Sequence, residues 1–396
     1  MKEKTICLYG GPVFDGEQLL ERGAIIFDEQ GIKSIEAGDY KKGVDSAIDV
    51  KGKLIAPGLV DLHSDALEKC IEIRPGVYFD TEFALQNLDR RLALCGITTF
   101  CHAISFAEDE FGLRSPRKAE ELVRLVHKFK NSNRASIHHL VHARFEISNF
   151  GAESVIFRLI REDLIDMVSL MDHTPGQGQF KTFEAYAAYQ TGVHKVTPEQ
   201  IAALVERKVA LREQGLKQVG NVAQVVKDAN IPFLSHDDDT KEKVSLVRNL
   251  GVDASEFPVS MEAARAAKRS NMKVFMGAPN LIRGRSSNNH LRASYALKAG
   301  VCDALVSDYY PECLLQAPFL ASKRHLLPLQ ETMKLVTSIP GDYLKRRTVA
   351  GRLNEGAPAD LVVIDNNALW ATIAQTWASG RCVYASNPEM VESSTG

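Results

Sequence analysis

Six side chains able to ligate a metal stand just past apolar runs of this chain: His63, Asp65, Glu146, His173, His236 and Asp308. Imidazole and carboxylate are donors that zinc, manganese and iron accept. His63 and Asp65 close the run Ala56-Pro57-Gly58-Leu59-Val60-Asp61-Leu62-His63-Ser64-Asp65. Alternate residues of a strand point the same way, so this pair faces one pocket. Any one of the six is explained as well by a strand-end residue that bonds loop backbone. Their recurrence at five strand ends is what points to a shared site. Six such groups at one rim could hold two ions bridged by one carboxylate, an arrangement that acidifies a water and neutralises phosphate oxygens. Asp308 then suits the proton acceptor, because a nearby cation keeps a carboxylate ionised.

Substrate recognition calls for other groups. Asn280, Arg283 and Arg285 lie in Asn280-Leu281-Ile282-Arg283-Gly284-Arg285-Ser286-Ser287-Asn288-Asn289, whose glycine, hydroxyls and guanidiniums could cradle phosphate. A plain solvated loop is the equal alternative. Arg74-Pro75-Gly76 has a similar character, and the Gly-bearing stretch 173–180 suits the lining of a pocket mouth. His142 shares a strand face with His138 and Glu146, where packing or loop bonding is the favoured role. His102 could line the pocket or sit satisfied in the core. His127, His194, His290 and His325 fall in helical or loop contexts and read as surface residues.

The elements that position these residues alternate. Strand-like runs occur at 59–62, 97–104, 138–146, 166–171, 231–234, 252–257, 273–277 and 304–307. Helical patterns separate them, at 82–94, 117–130, 197–213, 216–229, 240–249, 260–270, 288–299 and 328–338. Such alternation predicts βα units and an α/β fold, a (β/α)₈ barrel over 57–345. An open doubly wound sheet competes, but no GxGxxG follows an early strand. Residues 1–56 and 346–396 carry short strands bounded by Gly and Pro, and together they predict one small composite β-sandwich domain.

The 396 residues carry a net charge of -2, so no global field favours nucleic acid or an anionic membrane. No apolar stretch reaches the roughly 18 residues of a membrane span, and no signal peptide is evident. Seven scattered cysteines without a CxxC pair fit a cytoplasmic protein lacking disulfides. Exposed apolar helix faces would permit a homodimer.

Longer strings resemble a known family. APGLVDLHSD (56–65), GITTF (96–100), the strand end at Asp308 and GAPADLVVID (356–365) resemble the amidohydrolase superfamily. SLMDHTPGQGQF (169–180), SHDDDT (235–240), SEFP (255–258), MGAPNLIRG (276–284) and SDYYP (307–311) are similar to the phosphonate-metabolism PhnM family within it. The resemblance implies a metal-dependent hydrolase barrel carrying a small β-sandwich from both termini. It implies release of pyrophosphate from α-D-ribose 1-methylphosphonate 5-triphosphate, a small phosphorylated ribose. It also implies two divalent ions, zinc first, with manganese or iron as the others. His63 and Asp65 would serve one ion, His173 and His236 the other, with Asp308 as base. The superfamily's HxH is His63-x-Asp65 here. Glu146 replaces its bridging lysine, and the His ligands fall one strand early. His102 stands where an aspartate is usual, while Arg285 and Ser287 replace a family glycine and histidine. The alternatives are a hydrolase of a C–N bond in a cyclic amide or nucleobase-like substrate, and a metal-free subunit of a larger assembly.

Overall fold

The computed structural model describes residues 4–39, 43–107, 115–172, 187, 197–286, 290–345 and 347–387. His173, the rest of the loop 173–180, His194 and Ser287 lie outside them.

The chain opens with β1 (Ile6–Phe14), β2 (Leu19–Asp28), β3 (Gly31–Ala37), β4 (Ser46–Asp49) and β5 (Leu54–Pro57). It continues with β6 (Leu59–Ser64), a short hairpin of β7 (Glu72–Arg74) and β8 (Val77–Tyr78), and then β9 (Ile97–Phe106), β10 (His138–Glu146) and β11 (Met167–Met171). There follow β12 (Phe233–His236), β13 (Ala254–Glu256), β14 (Lys273–Gly277) and β15 (Ala304–Val306), and the chain ends with β16 (Leu361–Asp365), β17 (Thr372–Ala378) and β18 (Arg381–Ala385). All eight strands expected between residues 59 and 307 are present. They run parallel in the order β6-β9-β10-β11-β12-β13-β14-β15, and a bridge between Ser64 and Asp308 joins the last to the first. This is a (β/α)₈ barrel.

A second sheet draws β1–β5 from one end of the chain and β16–β18 from the other, in the order β18-β17-β16-β5-β1-β2-β3 with β4 on β1. It curls on itself. Phe27 of β2 meets Trp377 of β17 edge to face, 5.1 Å between centroids, across three intervening strands. Leu8, Ile25, Ile55, Leu361 and Val363 complete that core.

Five of the helices between barrel strands begin at residues whose side chains accept a first-turn N–H. Asp80, Ser115, Thr197, Thr240 and Ser260 do this for the helices Thr81–Leu94, Pro116–Lys130, Pro198–Asp228, Lys241–Asn249 and Met261–Arg269. Pro198–Asp228 is continuous, where the sequence pattern predicts two helices broken near Gly215. Gly215 marks a close approach instead: a Cβ there would stand 2.3 Å from the carbonyl oxygen of Ile147, directly after Glu146. The helices Ala152–Arg161 and Glu312–Lys323 escaped the sequence pattern.

The interior of the barrel is packed at its base by Val60, Leu62, Cys101, Leu140, Met167, Leu234, Ala254, Phe275 and Ala304. The seam between β15 and β6 is built differently from the other pairs. At the base, Val60 N and Leu305 N donate to the carbonyls of Val336 and Leu335. Higher up, the Asp61 carboxylate accepts from Ser307 N at 3.0 Å and His63 N at 3.3 Å. At the mouth, Asp308 N donates to His63 O at 3.0 Å and Asp65 N to Asp308 O at 2.7 Å. Strand-end geometry there is thus set by a side chain and by two backbone bonds that join His63, Asp65 and Asp308.

Candidate metal centre at the barrel mouth

Strand alternation selects the residues that enter the mouth. On β10, His142, Arg144 and Glu146 share the inward face, while His139 points outward. Next to them stand His63 from β6, His236 from β12, Glu256 from β13 and Asp308 just past β15. His236 and Glu256 are neighbours in register. His63 Nδ1 lies 3.2 Å from Glu256 Oε1, and His142 Nε2 lies 3.7 Å from Glu256 Oε2. The His63 ring is 5.1 Å from that of His142 and 5.5 Å from that of His236. One ligand atom from each of His63, His142 and Glu256 falls within 4.8 Å of the others. Phe257 covers the set, 5.1 Å from both His63 and His236.

Supporting bonds fix these groups. His142 Nδ1 lies 3.1 Å from the Leu62 carbonyl. A carbonyl only accepts, so Nδ1 carries the proton and Nε2 presents its lone pair to the mouth. Behind His236, the buried Asp238 accepts from the hydroxyls of Ser235 and Ser255 at 2.5 and 2.6 Å. Lys243 donates to the carbonyls of His236 and Asp237. The residues after three of these strands, Asp237, Phe257 and Asp308, hold φ of 55°, 51° and 58°. A left-handed backbone is unfavourable for such residues and often accompanies active sites.

Burial dominates the electrostatics. It holds His63 well below the usual imidazole value and pushes His142 down to about 3. It raises Glu256, and it pushes Asp61 up to about 7. Asp308 is also pushed up to about 7, by burial first and then by Asp65. Nε2 of His142 and Oε2 of Glu256 have no hydrogen-bond partner among the described residues. A neutral His142 with its Nε2 unbonded, beside a carboxylate that burial raises, fits a divalent cation, which would return the carboxylate to the ionised form.

The sequence-predicted residues fall as follows. His63, His236 and Glu146 are buried at the mouth, and Asp308 and Asp65 are half-buried there side by side. Asn280 is engaged locally: Nδ2 donates to Leu291 O at 3.1 Å, and Oδ1 accepts from Ala293 N at 3.0 Å. Arg283 is exposed, with Nη1 donating at 3.2 Å to the hydroxyl of Tyr309, next to Asp308. Arg285 is exposed one residue past Gly284, and Arg74 is exposed on the β7–β8 hairpin. His142, favoured as a packing residue, stands with His63 and Glu256 in the cluster that could hold a metal ion. His102 is a core residue, 2.9 Å from His139 and away from the mouth.

Sequence reasoning passed over Glu256 and Arg144. Glu256 ends a three-residue strand and obeys the strand-end rule that found the others. Arg144 was legible from its i±2 spacing to His142 and Glu146.

The barrel with a composite terminal sheet is a fold shared with several solved structures. An amidohydrolase matches over 97% of this chain and all of its own, with TM-score 0.65 at 16% identity. A variant of N-acetyl-D-glucosamine-6-phosphate deacetylase from Mycobacterium smegmatis matches over 96% of this chain and all of its own, with TM-score 0.65 at 14% identity. Dihydropyrimidinase from Brevibacillus agri matches over 96% and 95%, with TM-score 0.59 at 12% identity. No protein-family model matches the sequence. The α-D-ribose 1-methylphosphonate 5-triphosphate diphosphatase of Escherichia coli K12 is 32% identical over 343 residues, 85% of this chain and 90% of that protein. The chain belongs to that diphosphatase family.

Proposed function

We propose that this enzyme hydrolyses α-D-ribose 1-methylphosphonate 5-triphosphate and releases pyrophosphate. The observation that carries the reading is the 32% identity to the Escherichia coli diphosphatase across 90% of its length. The donor set at the barrel mouth supports it. His63, His142, His236, Asp65, Glu146 and Glu256 would hold the metal, together with His173 and Asp308. Two ions are proposed, zinc first and manganese or iron as the alternatives. When bound, the ions supply Lewis acidity that acidifies a water and neutralises phosphoryl charge. The water oxygen forms a bond to the α-phosphorus, and the bond from that phosphorus to the oxygen bridging it to the β-phosphoryl breaks. Asp308 takes the water's proton, held in place by the backbone bonds to His63 and Asp65. Arg283 and Arg285 at the rim bind the departing pyrophosphate, and Asn280 holds the loop that carries them.

The test is pyrophosphate release by metal-loaded protein from ribose 1-methylphosphonate 5-triphosphate, beside nucleoside triphosphates. Stoichiometric pyrophosphate from the ribose substrate is expected. Orthophosphate alone, or no product, defeats the reading.

A further inference from the structure

The mouth contains a row of buried polar side chains that the proposed metal centre does not use. Ser105 of β9, Arg144 of β10 and Ser169 of β11 are adjacent in register across three parallel strands. Paired residues of neighbouring strands point to the same side. The row therefore faces inward with Arg144, between the levels of His142 and Glu146. Ser105 is 3% exposed, Arg144 7% and Ser169 0%. Neither hydroxyl, nor Nε of Arg144, has a hydrogen-bond partner among the described residues.

A guanidinium taken out of water without a partner is unfavourable, and this fold gives the half-buried Arg91 and Arg347 carboxylate partners. Arg91 makes two bonds to Glu312, at 2.7 and 2.8 Å. Arg347 binds Asp166 and Asp163 at 3.1 and 2.6 Å. Arg144 has no such ion pair among the described residues. Its charge instead reaches His63, His142, Glu256 and Asp308 through space.

We infer that Ser105, Arg144 and Ser169 form a binding site for a phosphoryl anion inside the barrel mouth, and that the attacked phosphoryl group of the substrate occupies it. A guanidinium flanked by two hydroxyls offers converging donors to a tetrahedral oxyanion. The site gives the barrel a preference for phosphoryl over uncharged substrates, because an uncharged group leaves the buried Arg144 without a hydrogen-bonded anion. The role of this phosphoryl group as the reacting one rests on the diphosphatase reading; anion binding by the row does not.

Thermal shift and calorimetric titration with inorganic phosphate and with ribose 5-phosphate test this, in chelator and with metal. Metal content is measured in parallel. Wild-type protein is expected to bind both anions even in chelator. Arg144→Met is expected to weaken that binding at least tenfold while keeping its metal, and to lower kcat/KM for the triphosphate at least a hundredfold. Ser105→Ala with Ser169→Ala gives a smaller loss, and Arg144→Lys recovers part of it. Should Arg144→Met fail to fold, Arg144→Lys and the double serine variant carry the test, and both must weaken anion binding. Unchanged phosphate affinity in these variants, or affinity that follows metal content alone, overturns the inference. If wild type binds phosphate through Arg144 but releases no pyrophosphate, the diphosphatase reading fails and the anion site stands.

Discussion

Two buried clusters in this barrel have the same composition, two histidines and one carboxylate, yet are wired differently. In the wall, Asp89 of the helix Thr81–Leu94 accepts from His139 Nε2 at 3.0 Å, and His139 Nδ1 lies 2.9 Å from His102 Nε2. Asp89 also accepts from the backbone of Ser136 and Ile137. Burial, the largest influence, pushes Asp89 up, but the hydrogen bond and charge of His139 together with the bonds from Ser136 outweigh it and hold the carboxyl below its usual value. That cluster is a line of bonds pinning a helix to two strands. At the mouth, His63, His142 and Glu256 converge on a point, with Nε2 of His142 and Oε2 of Glu256 left without hydrogen bonds. Burial there raises the carboxylate instead. Composition is therefore a poor guide to which histidines act. His102 Nδ1 is also unpartnered among the described residues, so what separates the clusters is that the wall's carboxylate and His139 are bonded to each other, while the mouth's carboxylate and His142 face each other with unbonded atoms.

The sharpest way to break this comparison is to remove one carboxylate from each cluster. Glu256→Gln should lower metal content and reduce activity on the order of a thousandfold, about 4 kcal/mol of transition-state stabilisation. Its metal-free melting temperature should be unchanged or higher, because a buried carboxyl without full pairing is gone. A metal-free protein that melts much earlier would place Glu256 among structural residues. Asp89→Ala should do the reverse and lose roughly 3 kcal/mol of stability in denaturant titration, with kcat of the folded protein near wild type. A large fall in kcat at full metal occupancy would show that the wall cluster takes part in chemistry.

A smaller effect sharpens the electrostatic side. Asp308 is raised to about 7 in the folded protein, against an ordinary carboxyl in the unfolded chain. Between about pH 4 and pH 7 the folded state keeps a proton that the unfolded state has released. Its contribution is thus fully present at low pH and lost as pH rises through about 7. In chelator, Asp308→Asn should gain on wild type by a few degrees of melting temperature from pH 4 to pH 7.5. Parallel melting curves across that range would mean that Asp308 titrates normally.

Much of the fold was legible because it depends on local pattern. Apolar runs of strand length, helices between them and Gly-Pro punctuation at both ends carry the periodicities of a (β/α)₈ barrel and a terminal sheet. Gly215 misled, since a glycine within a helix looks the same in sequence whether it ends the helix or admits a neighbouring backbone. Strand-end position identified His63, Glu146, His236 and Asp308 as mouth residues, because barrel topology places every strand end on one rim.

Which mouth residues meet was decided only by the tertiary structure. His63 and Glu256 are far apart in the chain, and their 3.2 Å approach follows from barrel closure at the seam of β6 and β15. His142 and His139 are both strand histidines. Strand parity gave them opposite faces, but only the packed helix Thr81–Leu94 supplied Asp89 to one and left the other facing Glu256. Sequence alone determined which donor types reach the rim. The three-dimensional fold determined which of their lone pairs remain available, since hydrogen bonding is satisfied by partners that only folding brings near.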